Sequence, residues 1–142
     1  MTSLDRLVAR INRGSNINEP GTPRPLVTLE EFFADNTDYG SIGYNFYPDQ
    51  PAPAEFYELF KQIRARPEVS DVRVQVSQHE VPEEWPSSDT VWIITRASPE
   101  DVASWIGERF RADEIIVGWP DAWPVESYTI PPGMQALGVW WD

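Results

Sequence analysis

The stretch Val72–Thr95, VRVQVSQHEVPEEWPSSDTVWIIT, decides how this chain is read. Val72, Val74 and Val76 alternate with Arg73, Gln75 and Ser77, the two-residue period of a half-buried strand. Thr90–Thr95 is almost wholly apolar and rich in β-branched and aromatic side chains, as a central strand requires. The polar run Gln78–Asp89 joins the two as a loop. Just downstream, Ser98 supplies an N-cap, Pro99 suits the first helical position and Asp101 sits at the capping-box position. Val102, Trp105, Ile106 and Phe110 then share one face, which predicts a helix over 99–110. Upstream, Phe56, Leu59, Phe60 and Ile63 mark a helix over 54–66, opened by Pro53 and stopped by Pro67.

Working outward, Ser41–Phe46 reads as a short aromatic strand, Ile115–Val117 as another, and Leu137–Trp141 as a last one reached through the proline-rich Trp119–Gly133 segment. From Ser41 the order is β-α-β-β-α-β, then a loop, then β. The expected fold class is therefore α+β: a ferredoxin-like βαββαβ core with a mainly antiparallel sheet and an extra C-terminal strand. Two N-terminal helices precede it. The first runs from Leu4 to Asn12 behind Ser3, with Leu4, Leu7, Val8 and Ile11 on one side. The second starts at Thr28, whose spacing to Glu31 is that of a capping box, and ends near Asp35. Between them Gly14–Pro25 is a loop. The division is an N-terminal helix and proline-rich arm over 1–27 and a single α+β domain over 28–142. In the competing arrangement the last strand joins the sheet centrally. Either way the helices cover Val72, Val74, Val76, Val91 and Ile93. Arg73, Gln75, Trp92 and Ile94 fall on the other face, where the arm or the tail has to cover Trp92 and Ile94.

The chain has 142 residues, no cysteine, 11 basic and 23 acidic side chains, and a net charge of −12. Disulfides and cysteine-ligated metals are excluded, and a reducing cytoplasmic setting is expected. No apolar run approaches the roughly 20 residues of a membrane span, and amphipathic Met1–Arg13 does not read as a secretory signal. The charge argues against nucleic acid as a partner. Lys61 is the single lysine, an arginine-for-lysine skew that fits a GC-rich bacterial genome. Residues 1–27 hold four arginines against Asp5 and Glu19, so nearly all the acidity lies beyond them. Neither Pro25–Phe60 nor Ala112–Asp142 contains a basic residue.

No catalytic motif emerges, and no enzymatic activity is expected. His79, the single histidine, has Ser77, Ser87, Ser88 and Glu80 nearby but no nucleophile motif, so it reads as a surface loop residue. One histidine without cysteine does not make a zinc site. Asp35–Gly40 (DNTDYG) resembles a calcium loop but has no glutamate at the required spacing, and reads as a turn. Glu83-Glu84-Trp85 and Asp121-Ala122-Trp123 set acids beside indoles, the side chains of sugar hydrolysis, but in a domain with little room for a long cleft. The Trp-Pro pairs at 85, 119 and 123 read as plugs that pin loops to the core. Phosphate-binding glycine loops are lacking. Neither cofactor nor metal is expected.

What remains is an acidic, aromatic-rich surface suited to a basic protein partner, with aromatics as anchors and carboxylates as steering charges. Its candidate residues are Asp38, Tyr39, Tyr47, Asp49, Glu83, Glu84, Trp119, Asp121, Trp123 and Glu126. Acids over 35–58 and 113–126 are expected on one side of the molecule. The alternative is a small-molecule-binding or regulatory domain that uses an open sheet face around Arg73, Gln75 and Trp92. In the stretches Ser87–Thr95, Ser98–Val102 and Gly138–Asp142, and in its short, acidic, cysteine-free character, the chain resembles the small cytosolic immunity proteins of bacterial polymorphic toxin systems. That resemblance implies inhibition of a co-encoded toxin whose basic active site is blocked by acidic side chains.

Overall fold

The computed structural model describes residues 1–14, 16–46 and 48–142. It is a mixed α+β fold with four helices and one five-stranded antiparallel sheet of order β1-β2-β3-β5-β4. The elements are α1 (Ser3–Ile11), β1 (Leu26–Thr28), α2 (Leu29–Phe33), α3 (Pro53–Arg64), β2 (Val69–Gln75), β3 (Thr90–Thr95), α4 (Pro99–Ile106), β4 (Glu114–Val117) and β5 (Gln135–Trp140). Local chemistry sets the helix starts: Thr2, Thr28 and Ser98 each close a capping box, with Asp5, Glu31 and Asp101 as the reciprocal partners. α4 ends at Ile106, four residues short of the expected Phe110, because Gly107 takes a positive φ.

Ser41–Phe46 is not a strand; its only ladder contact is an isolated parallel bridge between Ile42 and Ser88. β5 lies where the ferredoxin-like expectation put that strand, between β3 and β4. The central placement of the last strand is thus the arrangement found. Leu26–Thr28, read as loop and helix start, forms an edge strand against β2. Three residues followed directly by a capping box are too few for a periodic pattern to register.

Helices pack on one sheet face, and α1 joins them. Leu7, Ile11, Phe32, Phe56, Phe60 and Ile63 bury against Val72, Val74, Val91, Ile93, Leu137 and Val139. The opposite face carries Leu26, Trp92, Ile94 and Ala136, covered by Trp119, Val125, Tyr128, Ile130 and Met134. The cover that Trp92 and Ile94 require therefore comes from the proline-rich segment between β4 and β5, here called the strap (118–134). Gly118, with φ of 80°, turns the chain out of β4 into it. Gly138 lets Trp92 lie flat on β5, since a Cβ there would sit 2.9 Å from the indole. Trp92 also donates from Nε1 to Gln75 Oε1 at 2.8 Å, so its polar edge is satisfied in the core. Trp92 is fully buried, and no open sheet face exists around Arg73, Gln75 and Trp92 as a ligand platform.

Candidate partner-binding site

The segment after α2 is a set of tied turns. Asp35 adopts φ of 64°, a conformation aspartate tolerates better than most residues. Buried Asn36 donates from Nδ2 to Phe32 O at 3.2 Å and Ser41 Oγ at 3.0 Å, and its Oδ1 accepts from Asp38 N at 2.9 Å. Asp38 accepts from Gly40 N at 2.8 Å and from Trp85 N at 3.3 Å. Asp35 accepts from Ser3 Oγ at 2.6 Å, so the oxygens that resemble calcium ligands take hydrogen bonds from this loop, from α1 and from the 80s loop. Trp85 adds a 2.8 Å bond from Nε1 to Phe32 O, which pins the 80–89 loop to the same place. Gln50 donates from Nε2 to Tyr39 O and Ile42 O, closing the far end. From this tied scaffold Tyr39 and Tyr44 project with 52% and 64% of their surface exposed.

Beyond the loop lies an open cleft of about 600 Å³, lined by Asn45, Phe46, Pro48, Asp49, Glu108, Arg109, Arg111, Asp113, Trp141 and Asp142. Three remote segments meet there. Asp142 N donates to Asp113 Oδ2 at 2.7 Å, and Asn45 donates from Nδ2 to Asp142 O. Trp141 is buried beneath and anchors its Nε1 on Phe110 O at 2.8 Å. Of the two arginines, Arg109 is engaged by Glu55 at 2.7 Å and Arg111 lies 3.9 Å from Glu108. The N–H of Ala52, then Arg109, hold Glu55 below the usual carboxylate range. Asp49, Asp113 and Asp142 have no ion-pair partner among the described residues. The lining is therefore net acidic, with Arg109 engaged by Glu55 and Arg111 exposed.

Of the ten residues expected to form one surface, the nine described ones divide between two regions. Asp38, Tyr39 and Asp49 belong to the tied loop, and exposed Glu83 and Glu84 lie on the loop that Trp85 pins beside Asp38. Tyr47 lies outside the described residues. Trp119, Asp121, Trp123 and Glu126 lie on the strap over the second sheet face. Trp119 packs edge-on against Trp92 at 4.6 Å between centroids and also meets Tyr128. Glu126 is ion-paired to Arg10 and accepts from Leu26 N at 2.7 Å, so it holds the strap to the body. Asp121 and Trp123 stay exposed, so Trp123 is no plug, whereas Trp85 and Trp119 are. Asp113 and Asp142 complete the cleft without having been singled out. The base-free run 112–142 contained them, but only the pairing of β4 with β5 brings them together, and the bond from Asn45 to Asp142 O joins them to the segment of Asp49.

His79 is buried rather than on the surface. Its Nε2 lies 3.1 Å from Glu84 O, and its own carbonyl accepts from Asn18 Nδ2 at 3.0 Å. It is thus a staple between the 80s loop and the N-terminal arm. No group of three or more potential metal ligands occurs among the described residues. No helix among them is long and apolar enough to cross a membrane.

The family model described as Uncharacterized protein YfbO family matches residues 2–139. The chain belongs to that family. It is 42% identical over 142 residues, with both chains covered in full, to Uncharacterized protein YfbO of Escherichia coli (strain K12). No solved structure matches it.

Proposed function

We propose that this protein is a protein-binding module of the immunity type, which neutralises a basic toxin encoded beside it through the acidic cleft and its neighbouring tyrosines. The observation that carries this reading is the convergence of Asp49, Asp113 and Asp142, free of ion-pair partners among the described residues, on an open cleft beside exposed Tyr44. Carboxylates so placed raise the encounter rate with a cationic surface and select against acidic partners. Tyr39 and Tyr44 supply rigid aromatic contact area, and the tied loop lowers the ordering cost of binding. The absence of cysteine suits action in the cytoplasm. The same reading takes β2-β3-β5-β4 with its helices on one face as a rearranged ferredoxin-like core, in which the C-terminal strand stands in for the first.

The test is rescue. The gene adjacent to this one is expressed in a host cell, alone and together with this protein, and survivors are counted. Killing by the neighbour, rescue by this protein, and loss of rescue in an Asp49→Lys, Asp113→Lys double variant that melts normally are the expected results. A harmless neighbour, or killing regardless of this protein, overturns the proposal. The cleft volume also lies within the roughly 300–1,000 Å³ of small-molecule sites, which supports a ligand-binding role as the second reading. A metabolite that raises the melting temperature of the wild type and not of an Asp49→Lys variant would favour it.

A further inference from the structure

Ladder parity tells which backbone groups each edge of the sheet turns outward. Gly118 N donates to Ala136 O at 2.8 Å, in register with Ile116 opposite Gly138 and Glu114 opposite Trp140. On the other side of β5, Trp141 N donates to Asp89 O, so β5 uses its odd-numbered residues toward β3 and its even-numbered ones toward β4. Antiparallel pairing alternates in this way. The N–H and C=O groups of Ile115 and Val117 therefore point away from the sheet, and they have no hydrogen-bond partner among the described residues. Within β4 there is no proline, no lysine and no register shift against β5, and Val117 is 61% exposed; its protections are its four-residue length, Glu114 and the entry at Asp113, whose N–H donates to Trp140 O at 2.9 Å. Asp113, which lines the acidic cleft, immediately precedes it.

We propose that the β4 edge is a strand-addition site that takes an extended, basic segment of a protein partner as a sixth strand. The mode is β-augmentation, in which main-chain bonds give affinity and alternate side chains give specificity. Charge selects the occupant. Asp113 and Glu114 open the strand, Asp121 follows it, and Ala112–Asp142 contains no basic residue. A second copy brings the same acids and a further net charge of −12, so like charge opposes self-pairing. A segment alternating aliphatic and cationic residues sets its aliphatic face beside Ile115 and Val117 and turns its cations to the opposite face, where Glu114 lies. This inference rests on the basic-partner reading and adds to it where and how the partner is held.

The probe is the synthetic peptide Lys-Val-Lys-Val-Lys-Val-Lys, added to the full chain, with Glu-Val-Glu-Val-Glu-Val-Glu as the control. Amide exchange of Ile115 and Val117, followed by NMR, is expected to slow at least about tenfold with the basic peptide and not with the acidic one. Val117→Pro removes only an outward N–H and spares the ladder to β5, so it is expected to weaken peptide binding about tenfold. Val117→Lys, which keeps that N–H and repels the cations, is expected to weaken it too, with circular dichroism unchanged. Equal binding by both variants, or protection elsewhere than β4, overturns the proposal. Protection of Ile115 and Val117 without peptide, together with a dimer in sedimentation, overturns it in favour of a second copy. The peptide experiment reads the edge without any toxin. Failed rescue with intact peptide protection therefore removes the immunity reading alone, and rescue by Val117→Pro with no protection removes the edge alone.

Discussion

At the β1 edge, the outward backbone groups of Arg24 and Leu26 and the N–H of Thr28 all meet partners; at the β4 edge, those of Ile115 and Val117 meet none among the described residues. Arg24 exchanges bonds with Pro124 O and Glu126 N, so the strap runs beside the edge like a short parallel strand. Leu26 N donates to the Glu126 carboxylate, and Leu26 O accepts from Arg10 and Arg73. Glu31 takes the N–H of Thr28 as part of the α2 capping box. Burial follows suit: Leu26 and Val27 are buried although their strand is at an edge, whereas Glu114 and Val117 are exposed. The contrast teaches that one sheet can close one edge with side chains from its own chain and leave the other as a template. An exposed edge can template pairing with another chain, and at β4 only the four-residue length and charged residues such as Glu114 blunt it.

The largest way to break the contrast is at the strap's footing. Trp92→Ala removes the side chain on which Trp119 rests and opens a cavity beneath the strap, at a cost of about 4 kcal/mol in urea denaturation. A loss below about 1 kcal/mol would mean that the strap does not depend on the second core. Next comes Glu126→Ala, which takes from half-buried Arg10 the closer of its two carboxylate partners, leaving Glu31 at 3.7 Å, and leaves the N–H of Leu26 without its acceptor. About 2–3 kcal/mol is expected, with faster amide exchange at Leu26 and unchanged exchange at Ile115. If Ile115 responds equally, the two edges are not independent.

Tyr128→Phe is the third test. Tyr128 donates to Asp71 Oδ2 at 2.6 Å, and Asp71 also holds Arg73 Nε at 2.8 Å. Burial, then this bond to Asp71, pushes the Tyr128 phenol from 10.0 up to about 12. A raised folded-state value means that the folded chain holds the proton more tightly. The resulting stability is complete below pH 10 and disappears as pH rises toward 12. The wild type should therefore lose stability between pH 10 and 12 that Tyr128→Phe does not lose, while the variant is weaker by about 1 kcal/mol at pH 7. Parallel pH profiles would refute the assignment. The smallest effect is expected at the open edge, where Val117→Thr should change stability by less than about 0.5 kcal/mol. A larger loss would show that Val117 is already covered in the free protein.

Regular pieces of the fold were legible wherever a pattern ran long enough. The alternation at Val72–Val76, the apolar run Thr90–Thr95 and the capping boxes at Thr28 and Ser98 all read correctly, because each encodes its own geometry within a few residues. Ser41–Phe46 misled for the converse reason. Its aromatic composition fits a strand, but its groups are claimed by Asp38, Gln50 and Ser88, contacts that composition does not register. Of the residues picked from sequence, Asp49 lines the cleft and Tyr39 is exposed, while Trp119 packs on Trp92 and Glu126 pairs with Arg10. Aromatic and acidic residues look alike in sequence whether they face a partner or their own chain.

By itself the sequence determined the strands around Val72–Val76 and Thr90–Thr95, the helices after Pro53 and Ser98, the acidity of 28–142, the absence of thiol chemistry and the need to cover Trp92 and Ile94. These depend on residue type and short spacing. Only the tertiary structure decided that β5 enters between β3 and β4, that the strap covers the second face and seals the β1 edge, that Asp49, Asp113 and Asp142 share a cleft, and that β4 is left open. Those outcomes follow from pairings between residues as far apart as Arg10 and Glu126, and a partner chosen across that distance leaves no periodic trace in either segment.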